Sequence, residues 1–241
     1  MNGLILLNKP TGISSAKALY RVRKITGVRK SGHAGALDPA ADGVLILCLG
    51  RATKLVESLM DLPKTYLASA RLDVTSDSFD SDRPLIETPV ASPPDASRIE
   101  RALSGFVGTI LQVPPAVSAI KVGGRRAYQL ERAGKPPVLS PRPAQVYELT
   151  LERHAWPAIT FRVRCGRGTY VRALIRDLGV ALGTGGCLTG LTREAIGPFE
   201  LSQTCGFSQL ESGPWEPFVL APETALELAR RAPEKSPPRL G

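Results

Sequence analysis

The sequence predicts an α+β protein with a mixed β-sheet flanked by helices. Segments with strand and helix patterns alternate irregularly along the 241 residues, and several predicted strands follow one another in hairpin order. A doubly wound fold requires a regular alternation of strands and helices, which this chain lacks. Because no internal repeat is present, the length allows one large domain or a domain with an appendage.

Sequence patterns predict each element in turn. An apolar run predicts the first strand over residues 3–7, which ends at the turn 8–12. Ser14 or Ser15 caps the helix that follows, because apolar residues then recur on one helical face. A glycine-rich loop occupies residues 31–43. The later predicted elements are a strand at 44–49, a helix at 53–60, a strand at 65–72, a helix around 99–103, a strand at 107–113, a helix around Tyr128, paired strands at 144–152 and 158–165, a helix at 168–182, a strand at 188–191 and a helix at 224–230.

Residues 73–94 do not follow a strand or helix period. They are polar and acidic and contain prolines. This composition predicts a surface loop with little structure of its own.

Charge is the most informative bulk property. The 31 Lys and Arg outnumber the 22 Asp and Glu, which gives a net charge of +9. Part of the excess lies in two clusters, one within residues 21–30 and one within residues 162–176. A basic surface attracts polyanions such as nucleic acids. Aromatic residues make up only 5% of the chain, so a folded RNA recognised by its shape and phosphates fits better than a stacked single strand.

The apolar runs and the cysteines predict a cytoplasmic protein. The run at 3–7 is too short to span a bilayer or to form a signal-peptide core. The four cysteines are Cys48, Cys165, Cys187 and Cys205. They are far apart, with no paired spacing and no adjacent histidine, which argues against a zinc cage. We therefore expect reduced thiols in a reducing compartment.

The loop from Gly32 to Gly43 carries the sharpest chemical signal. Asp38 lies between glycines, is followed by Pro39 and precedes a buried strand, which is an arrangement that holds a carboxylate at the rim of a sheet. Asp before Pro is also common in ordinary turns, and the tripeptide alone favours that structural role. A catalytic role for Asp38 therefore needs support from other segments.

The segment Gly166–Arg172 leads into a predicted helix. Backbone N–H groups at the helix start, together with Arg167 and Arg172, suit a phosphate or a carboxylate. The Gly-Lys-Ser/Thr sequence of a P-loop is missing. A capped helix with arginines facing solvent explains the segment equally well.

Two other segments carry weaker signals. Tyr66 follows Lys64 at the start of a predicted strand, and a core or edge tyrosine explains it when it is taken alone. The acidic stretch 73–82 lacks the alternating oxygen ligands, the turn glycine and the terminal glutamate of an EF-hand loop. It therefore does not predict a calcium site.

Taken together, six segments resemble the TruB family of tRNA pseudouridine-55 synthases in their order and spacing. They are Asn8–Ser15, Gly32–Gly43 continuing through Gly50–Lys54, Lys64–Tyr66, Gln112–Lys121 followed by Gly124 and Tyr128, Gly168–Arg172, and Leu191–Arg193. The match covers roughly residues 2–200. Chance explains one such motif easily, but it is a poor explanation of six in register.

The resemblance implies catalytic roles for three residues. Asp38 is the catalytic aspartate, and Tyr66 stacks on the flipped uracil. Arg172 pairs with Asp38, which keeps the carboxylate ionised by lowering its pKa.

The resemblance also implies an RNA-binding role for five residues. His33 occupies the space that the flipped nucleotide leaves. Lys9, Tyr170 and Leu191 line the pocket, and Asp77 braces the acidic loop near the RNA.

The domain organisation follows from the same resemblance. Residues 1–200 form a pseudouridine synthase catalytic domain with a mixed, largely antiparallel sheet. Residues 201–241 form a short C-terminal extension in place of the RNA-binding (PUA-like) domain that family members carry, because so few residues cannot form such a core. Asp73 stands where the family usually has Gly, and Thr192 where it usually has Arg.

The implied activity is the isomerisation of the T-arm uridine at position 55 of tRNA to pseudouridine. This reaction gains no group or electron from outside, so we expect no cofactor and no metal. We expect a monomer that acts on tRNA without an obligatory protein partner and without a membrane. Two alternatives are the catalytic subunit of a guide-RNA-dependent H/ACA particle and a non-catalytic tRNA-binding or folding module. The motif around His33 and the absence of a long accessory domain argue against the first, and the presence of Asp38 argues against the second.

Overall fold

The computed structural model of the chain describes residues 1–118, 120–135 and 137–231. The strands are β1 (Gly3–Lys9), β2 (Ser31–His33), β3 (Asp42–Leu49), β4 (Lys64–Arg71), β5 (Val74–Thr75), β6 (Ile86–Glu87), β7 (Gly108–Gln112), β8 (Lys121–Val122), β9 (Arg125–Arg126), β10 (Arg142–Ala155), β11 (Ala158–Cys165), β12 (Cys187–Ile196), β13 (Phe199–Glu200) and β14 (Val219–Leu220). The α-helices are α1 (Ser15–Thr26), α2 (Val56–Asp61), α3 (Ala96–Ser104), α4 (Ala127–Arg132), α5 (Val171–Leu182), α6 (Phe207–Glu211) and α7 (Pro222–Arg231), and a 3₁₀ helix at Gly50–Leu55 precedes α2. Within the described ranges, no helix is both long enough and apolar enough to cross a membrane.

The chain divides into two compact units. Unit 1 comprises Met1–Leu67 and Leu191–Gly241, and unit 2 comprises Ala68–Gly190. Strands β4 and β12 each begin in one unit and end in the other. The backbone therefore passes from unit to unit within a strand at both boundaries.

The sheet of unit 1 has the order β14–β1–β3–β12, with β2 beside β3 and β13 beside β12. Strands β1 and β3 pair antiparallel along their whole length, from Gly3 opposite Leu49 to Lys9 opposite Gly43. Strands β3 and β12 pair in parallel, which makes the sheet mixed. The pairings of β1 with β14, of β12 with β13 and of β2 with β3 are antiparallel. The predicted α+β class with a mixed, largely antiparallel sheet is confirmed.

Strands β1 and β3 are buried on both faces because successive side chains point to two different apolar clusters. Ile5 packs in one cluster with Val22 of α1. Ile46 packs in the other with Leu59 of α2 and Ala225 of α7. Each such side chain contributes about 1.5–3 kcal/mol when it is fully removed from water. Burial on both faces explains why these strands are continuous apolar runs instead of alternating ones.

Helix α1 begins where its sequence predicts. Ser14 is the N-cap, and its side-chain oxygen accepts a hydrogen bond from the backbone N–H of Lys17. Gly27 ends the helix in the left-handed conformation, with φ of 68°, which glycine adopts without strain. The buried face of the helix includes Leu19 and Val22.

Unit 2 contains an antiparallel group of strands in the order β11–β10–β7. The alternating pattern of β11 buries Ile159, Phe161 and Val163. Helix α5 buries a wide apolar face that includes Leu174 and Leu178. These buried faces form because both elements carry apolar residues at the period of their own secondary structure.

The prediction of a surface loop over residues 73–94 is wrong for its first part. Strands β5 and β6 pair there, and the turn after β5 buries Ser76, Ser78 and Asp80. The Ser76 hydroxyl accepts from the N–H of Asp80 at 3.0 Å and donates to its carbonyl at 2.8 Å. Because the serine side chain satisfies these backbone groups, a polar sequence can be buried here.

Residues 201–231 of the predicted C-terminal extension belong to unit 1. Strand β14 pairs antiparallel with β1, with Leu220 opposite Leu4. Phe207 and Leu210 of α6 lie in the same apolar cluster as β1. Residues 232–241 of the predicted extension lie outside the described residues.

The approach of β3 to β12 yields a first prediction, the effect of Gly43→Ala. Gly43 has φ of +100°, and a Cβ atom there would lie 2.3 Å from the carbonyl oxygen of Arg193. We expect the substitution to lower the free energy of unfolding by about 2 kcal/mol or more, measured by urea denaturation.

The matched control is Gly213→Ala. Gly213 is exposed, and a Cβ atom added there would have no atom within 4 Å. We expect this control to change the free energy of unfolding by no more than about 0.5 kcal/mol. Equal effects of the two substitutions would contradict the close packing of β3 against β12.

Candidate active site

Asp38 is exposed on the loop of residues 34–41, between β2 and β3. Its carbonyl accepts a hydrogen bond from the N–H of Ala41 at 3.1 Å, which closes a turn. The carbonyl of Pro39 accepts from the N–H of Gly12 at 2.8 Å, so the loop is tied to the turn after β1. The carboxylate is therefore presented to solvent from a backbone that is held on both sides.

Ser15 anchors the residue that precedes Asp38. Its hydroxyl accepts from the N–H of Leu37 at 2.8 Å and donates to the carbonyl of Leu37 at 3.1 Å. Ser15 is the first residue of α1 and is buried, as is Leu37. Both backbone polar groups of Leu37 are thus satisfied by one side chain.

Arg193 of β12 holds the part of the loop that precedes Leu37. Its side chain is only 1% exposed. The guanidinium donates to three carbonyls, those of Val44 at 2.7 Å, Gly35 at 3.0 Å and Ala36 at 3.3 Å. A buried arginine requires such partners, because its charge cannot be removed by deprotonation.

Lys9 is fully buried at the end of β1. Its ammonium donates to the carbonyls of Pro10 at 2.8 Å and Ile13 at 2.9 Å. Burial lowers the pKa of Lys9 to about 8; the carboxylate of Asp42 opposes this change, Arg193 reinforces it and Asp38 opposes it.

A buried carboxylate oxygen lies in the same charged group. Oδ1 of Asp42 is buried and has no hydrogen-bond partner among the described residues. Its negative charge acts on Lys9 more strongly than that of Asp38 does. Unit 1 therefore gathers two cations and two carboxylates around the loop.

The remaining predicted residues of unit 1 are half-buried. His33 ends β2 opposite Leu47, and Leu191 lies on β12. Tyr66 lies on β4 two residues after Lys64, whose ammonium donates to the carbonyls of Met60 and Leu62. This partial exposure leaves part of each side chain accessible to a ligand.

In unit 2, Arg172 is buried in the first turn of α5. Its guanidinium donates to the carbonyl of Val117 at 2.8 Å and to that of Ser78 at 3.3 Å. Tyr170 lies two residues before Arg172 and is held by the side-chain amide of Gln112. That amide accepts a hydrogen bond from the N–H of Tyr170 at 2.8 Å and donates one to the carbonyl of Tyr170 at 3.1 Å. Tyr170 and Arg172 are therefore both positioned by side chain–backbone contacts.

The turn that holds Arg172 also carries the predicted Asp77. Asp77 is exposed, whereas Asp80 is buried three residues later. Phe79, between them, has φ of +57°, which is a strained conformation for an aromatic residue. The Arg176 guanidinium lies 5.4 Å from the centre of the Phe79 ring. The buried carboxylate of this turn is thus Asp80 and not Asp77.

Sequence reasoning assigned no site role to several residues that, within their own unit, contact or lie near the predicted site residues. They are Ser15, Gln112, Asp80 and Arg193. Three of them occur within the motifs of the resemblance, at Asn8–Ser15, Gln112–Lys121 and Leu191–Arg193, but their backbone partners are distant in sequence. The predicted pairing of Arg172 with Asp38 stays a prediction, as do the roles of the other six site residues.

The amino-terminal domain of the TruB family of pseudouridylate synthases matches residues 23–171 of this chain. That range includes Asp38 and Tyr66. The chain is 40% identical over 212 residues to tRNA pseudouridine synthase B of Francisella tularensis subsp. holarctica (strain FTNF002-00 / FTA), which covers 88% of this chain and 70% of the relative. It is 42% identical over 212 residues to tRNA pseudouridine synthase B of Burkholderia pseudomallei (strain 668), which again covers 88% of this chain and 70% of the relative.

Solved structures agree with the sequence comparison. A chain of the crystal structure of a Cbf5-Nop10-Gar1 complex superposes with a TM-score of 0.71 at 27% identity over 94% of this chain. A chain of an H/ACA RNP bound to a substrate RNA containing 2'-deoxyuridine gives 0.68 at 25% identity, also over 94% of this chain. This chain spans only about three fifths of those two chains, 62% and 61%. From the family match and the two bacterial relatives, we conclude that this chain belongs to the TruB family of pseudouridylate synthases.

Proposed function

We propose that the chain is a tRNA pseudouridine synthase that isomerises the T-arm uridine at position 55, with Asp38 as the catalytic carboxylate. The observation that carries the proposal is the exposed carboxylate of Asp38 on a loop fixed by Ser15 and Arg193. The two bacterial relatives named tRNA pseudouridine synthase B support the choice of tRNA as substrate.

The chemistry requires a positioned anion more than any other group. The bond between ribose C1′ and uracil N1 breaks, the base rotates, and C1′ bonds to C5. C5 then loses its proton to N1 or to solvent, and in the latter case N1 takes up a proton from solvent. Electron deficiency develops at the sugar carbon, as in glycoside cleavage, and an ionised carboxylate stabilises or attacks it. Attack on C1′, attack on uracil C6 and removal of the 2′ proton are three routes open to Asp38. None of them requires a cofactor.

The target uridine must leave its stack before it reaches Asp38. Extruding a nucleotide costs a few kcal/mol, which stacking and phosphate contacts offset. We assign the uracil stacking to Tyr66, and the filling of the vacated space to His33. Lys9, Tyr170 and Leu191 line the pocket in this proposal.

Two charged residues complete the assignment. Arg172 pairs with Asp38 in the proposed active state, and its positive charge favours and orients the ionised carboxylate. Asp77 lies near the RNA. Its exposed position is compatible with such a contact.

The proposed enzyme acts as a monomer on tRNA without a guide RNA. The likeness to a chain of an H/ACA RNP supports the H/ACA particle as the second candidate. The bacterial relatives are more similar in sequence, at 40% and 42% against 25%, which favours the tRNA enzyme. We expect pseudouridine to form in unmodified tRNA when it is mixed with the purified protein alone. A strict need for added guide RNA would favour the particle instead.

The first prediction of this proposal concerns Asp38→Asn. The amide preserves shape but cannot bear the negative charge that the sugar carbon needs. We expect pseudouridine formation in a tRNA transcript to fall by at least about 10³-fold, while the tRNA dissociation constant changes less than about threefold.

The control for Asp38→Asn is Glu223→Gln, which removes the same charge from an exposed position in the first turn of α7. We expect this variant to form pseudouridine at the wild-type rate. Comparable rates for Asp38→Asn and the wild type would exclude the catalytic role of this carboxylate.

The second prediction concerns the anchor Ser15. Ser15→Ala leaves the N–H and the carbonyl of Leu37 buried without their partner, which costs about 2 kcal/mol of unfolding free energy. We also expect a slower single-turnover rate at saturating tRNA, because Asp38 is the next residue.

Ser58→Ala is the matched control for this anchor. Ser58 is exposed, and its hydroxyl donates to Leu55 within α2. We expect less than about 0.5 kcal/mol of destabilisation and an unchanged rate. A wild-type single-turnover rate in Ser15→Ala would mean that this anchor does not position Asp38 for the reaction.

The third prediction uses the titration of Lys9. Its pKa is about 8 in the folded chain and 10.5 in an ordinary lysine. Between these values the unfolded chain binds more protons than the folded chain, so the contribution of Lys9 to the free energy of unfolding rises with pH. Below the folded pKa, both states are protonated and the contribution is constant.

The measurement is urea denaturation of the wild type and of Lys9→Met at about pH 7, 8 and 10. The difference between their two free energies of unfolding at each pH removes the contribution of all other titrating groups. We expect the wild type to gain stability relative to Lys9→Met between about pH 8 and about pH 10. A difference that stays constant or falls over this interval would contradict the lowered pKa of Lys9.

A further inference from the structure

The amino-terminal part of unit 1 has an unusually one-sided charge. Residues 1–56 contain nine Lys and Arg, but only two acidic residues, Asp38 and Asp42, both in the segment of the candidate active site. Helix α1 contains no acidic residue at all. With nine cations and two anions, residues 1–56 therefore carry a formal net charge of +7.

Internal contacts account for only some of these cations. Arg21 donates to both carboxylate oxygens of Glu211, at 2.6 and 2.8 Å, and its guanidinium lies 4.2 Å from the centre of the Phe207 ring. Arg23 donates to the hydroxyl and the carbonyl of Ser31. Both arginines are therefore used to attach α1 to its surroundings.

Four other cations are exposed, and no acidic side chain in the described part of the chain pairs with them. They are Lys17, Lys24, Arg29 and Lys30. Lys17 and Lys24 lie on α1, and Arg29 and Lys30 follow its end at Thr26. Together with the exposed Tyr20 we call these four cations the basic face of α1. Three of them, Lys24, Arg29 and Lys30, belong to the first basic cluster.

The arginines of the second basic cluster, within residues 162–176, are largely used in internal contacts. Arg162 pairs with Glu152, and Arg176 pairs with Asp177. Arg164 lies over the ring of Tyr147 at 5.1 Å, and Arg172 is buried. Two of the five arginines of this cluster are thus paired with carboxylates and one is buried, whereas no acidic side chain in the described ranges pairs with a cation of the basic face. This difference favours the basic face of α1 as a site for an external polyanion.

Helix stability does not explain the cation at the start of the face. The amino-terminal end of a helix is positive, so a Lys in the first turn is unfavourable and an acidic residue is preferred there. Lys17 lies in that turn, which has no acidic residue. Lys24, in the last turn, does suit the helix dipole. An external anion is the simplest reason for a cation at Lys17.

The spacing of the face matches a nucleic acid strand. Lys17 and Lys24 are seven residues apart, so they lie on one side of α1 about 10 Å apart along its axis. Tyr20 lies between them and is 58% exposed, with the ammonium of Lys24 4.9 Å from the centre of its ring. An exposed ring between two cations offers a stacking surface for a base between two phosphate contacts.

We propose that the basic face of α1 binds the phosphate backbone of the substrate RNA. This inference rests on the proposed function, because it takes the RNA to be the substrate of Asp38. The first residue of α1, Ser15, is hydrogen-bonded to Leu37, next to Asp38. Helix α1, which carries Lys17, Tyr20 and Lys24, is thus attached to the loop that holds the carboxylate.

The test is the salt dependence of tRNA binding by the variant Lys17→Gln/Lys24→Gln/Lys30→Gln. Each neutralised phosphate contributes about 0.7–0.9 to the slope of log affinity against log salt concentration. We expect the triple variant to bind an unmodified tRNA transcript at least about tenfold more weakly at low salt, with a slope that is smaller by about 2.

The control is Arg83→Gln/Arg162→Gln/Arg231→Gln, which removes the same total charge from arginines that are each paired with a glutamate. We expect this control to keep the wild-type slope. Equal losses in the two triple variants, a wild-type slope in the first, or no tRNA binding by the wild type would each overturn the proposal.

Failure of the proposed function is recognised separately. Binding slopes are measured without turnover, and pseudouridine formation by the wild type is measured in parallel. A protein that forms pseudouridine but whose first triple variant keeps the wild-type slope refutes only the docking surface. A protein that forms none, but whose slopes change as expected, refutes only the isomerase.

Discussion

The loop that carries Asp38 depends on one buried guanidinium. Arg193 remains charged at any accessible pH, and burying an unpaired charge costs several kcal/mol. The carbonyls of Gly35, Ala36 and Val44 offset this cost, and they come from the loop and from the strand that follows it. The loop cannot move away without leaving the guanidinium unsatisfied, so the same contact that stabilises unit 1 also fixes the carboxylate in space.

The other features of the site follow from this arrangement. Burial lowers the pKa of the neighbouring Lys9; the carboxylate of Asp42 opposes this change, the guanidinium of Arg193 reinforces it and Asp38 opposes it. The charges of the site are therefore mutually dependent. The hydroxyl of Ser15 also connects the loop to α1 by two hydrogen bonds, so the helix and the loop are held together. An exposed anion on so constrained a backbone suits chemistry that needs a negative charge at one fixed point.

Much of unit 1 could be predicted from the sequence because its signals are local. The cap at Ser14, the left-handed Gly27 and the apolar runs of β1 and β3 each act within a few residues. The contacts that position the site are not local. Ser15 and Leu37 are 22 residues apart, and Arg193 lies 157 and 158 residues from Ala36 and Gly35. No pattern in the sequence indicates which carbonyls a distant arginine will reach.

The acidic segment shows the same limit in unit 2. Its polarity predicted a loop, yet Ser76 satisfies the backbone groups of Asp80 and allows the turn to be buried. Which aspartate of the turn is buried depends on the strained backbone at Phe79, and that conformation has no signature in the sequence. The resemblance assigns Asp77 a role near the RNA, which stays a prediction, and it gives no sign that Asp80 is the buried aspartate of this turn.

The most direct test of the central claim is to incubate the purified chain with an unmodified tRNA transcript, without guide RNA or metal, and to map every pseudouridine that forms. Our interpretation predicts a single pseudouridine, at position 55 of the T-arm. A transcript that stays unmodified, or one modified only at another position, would contradict it.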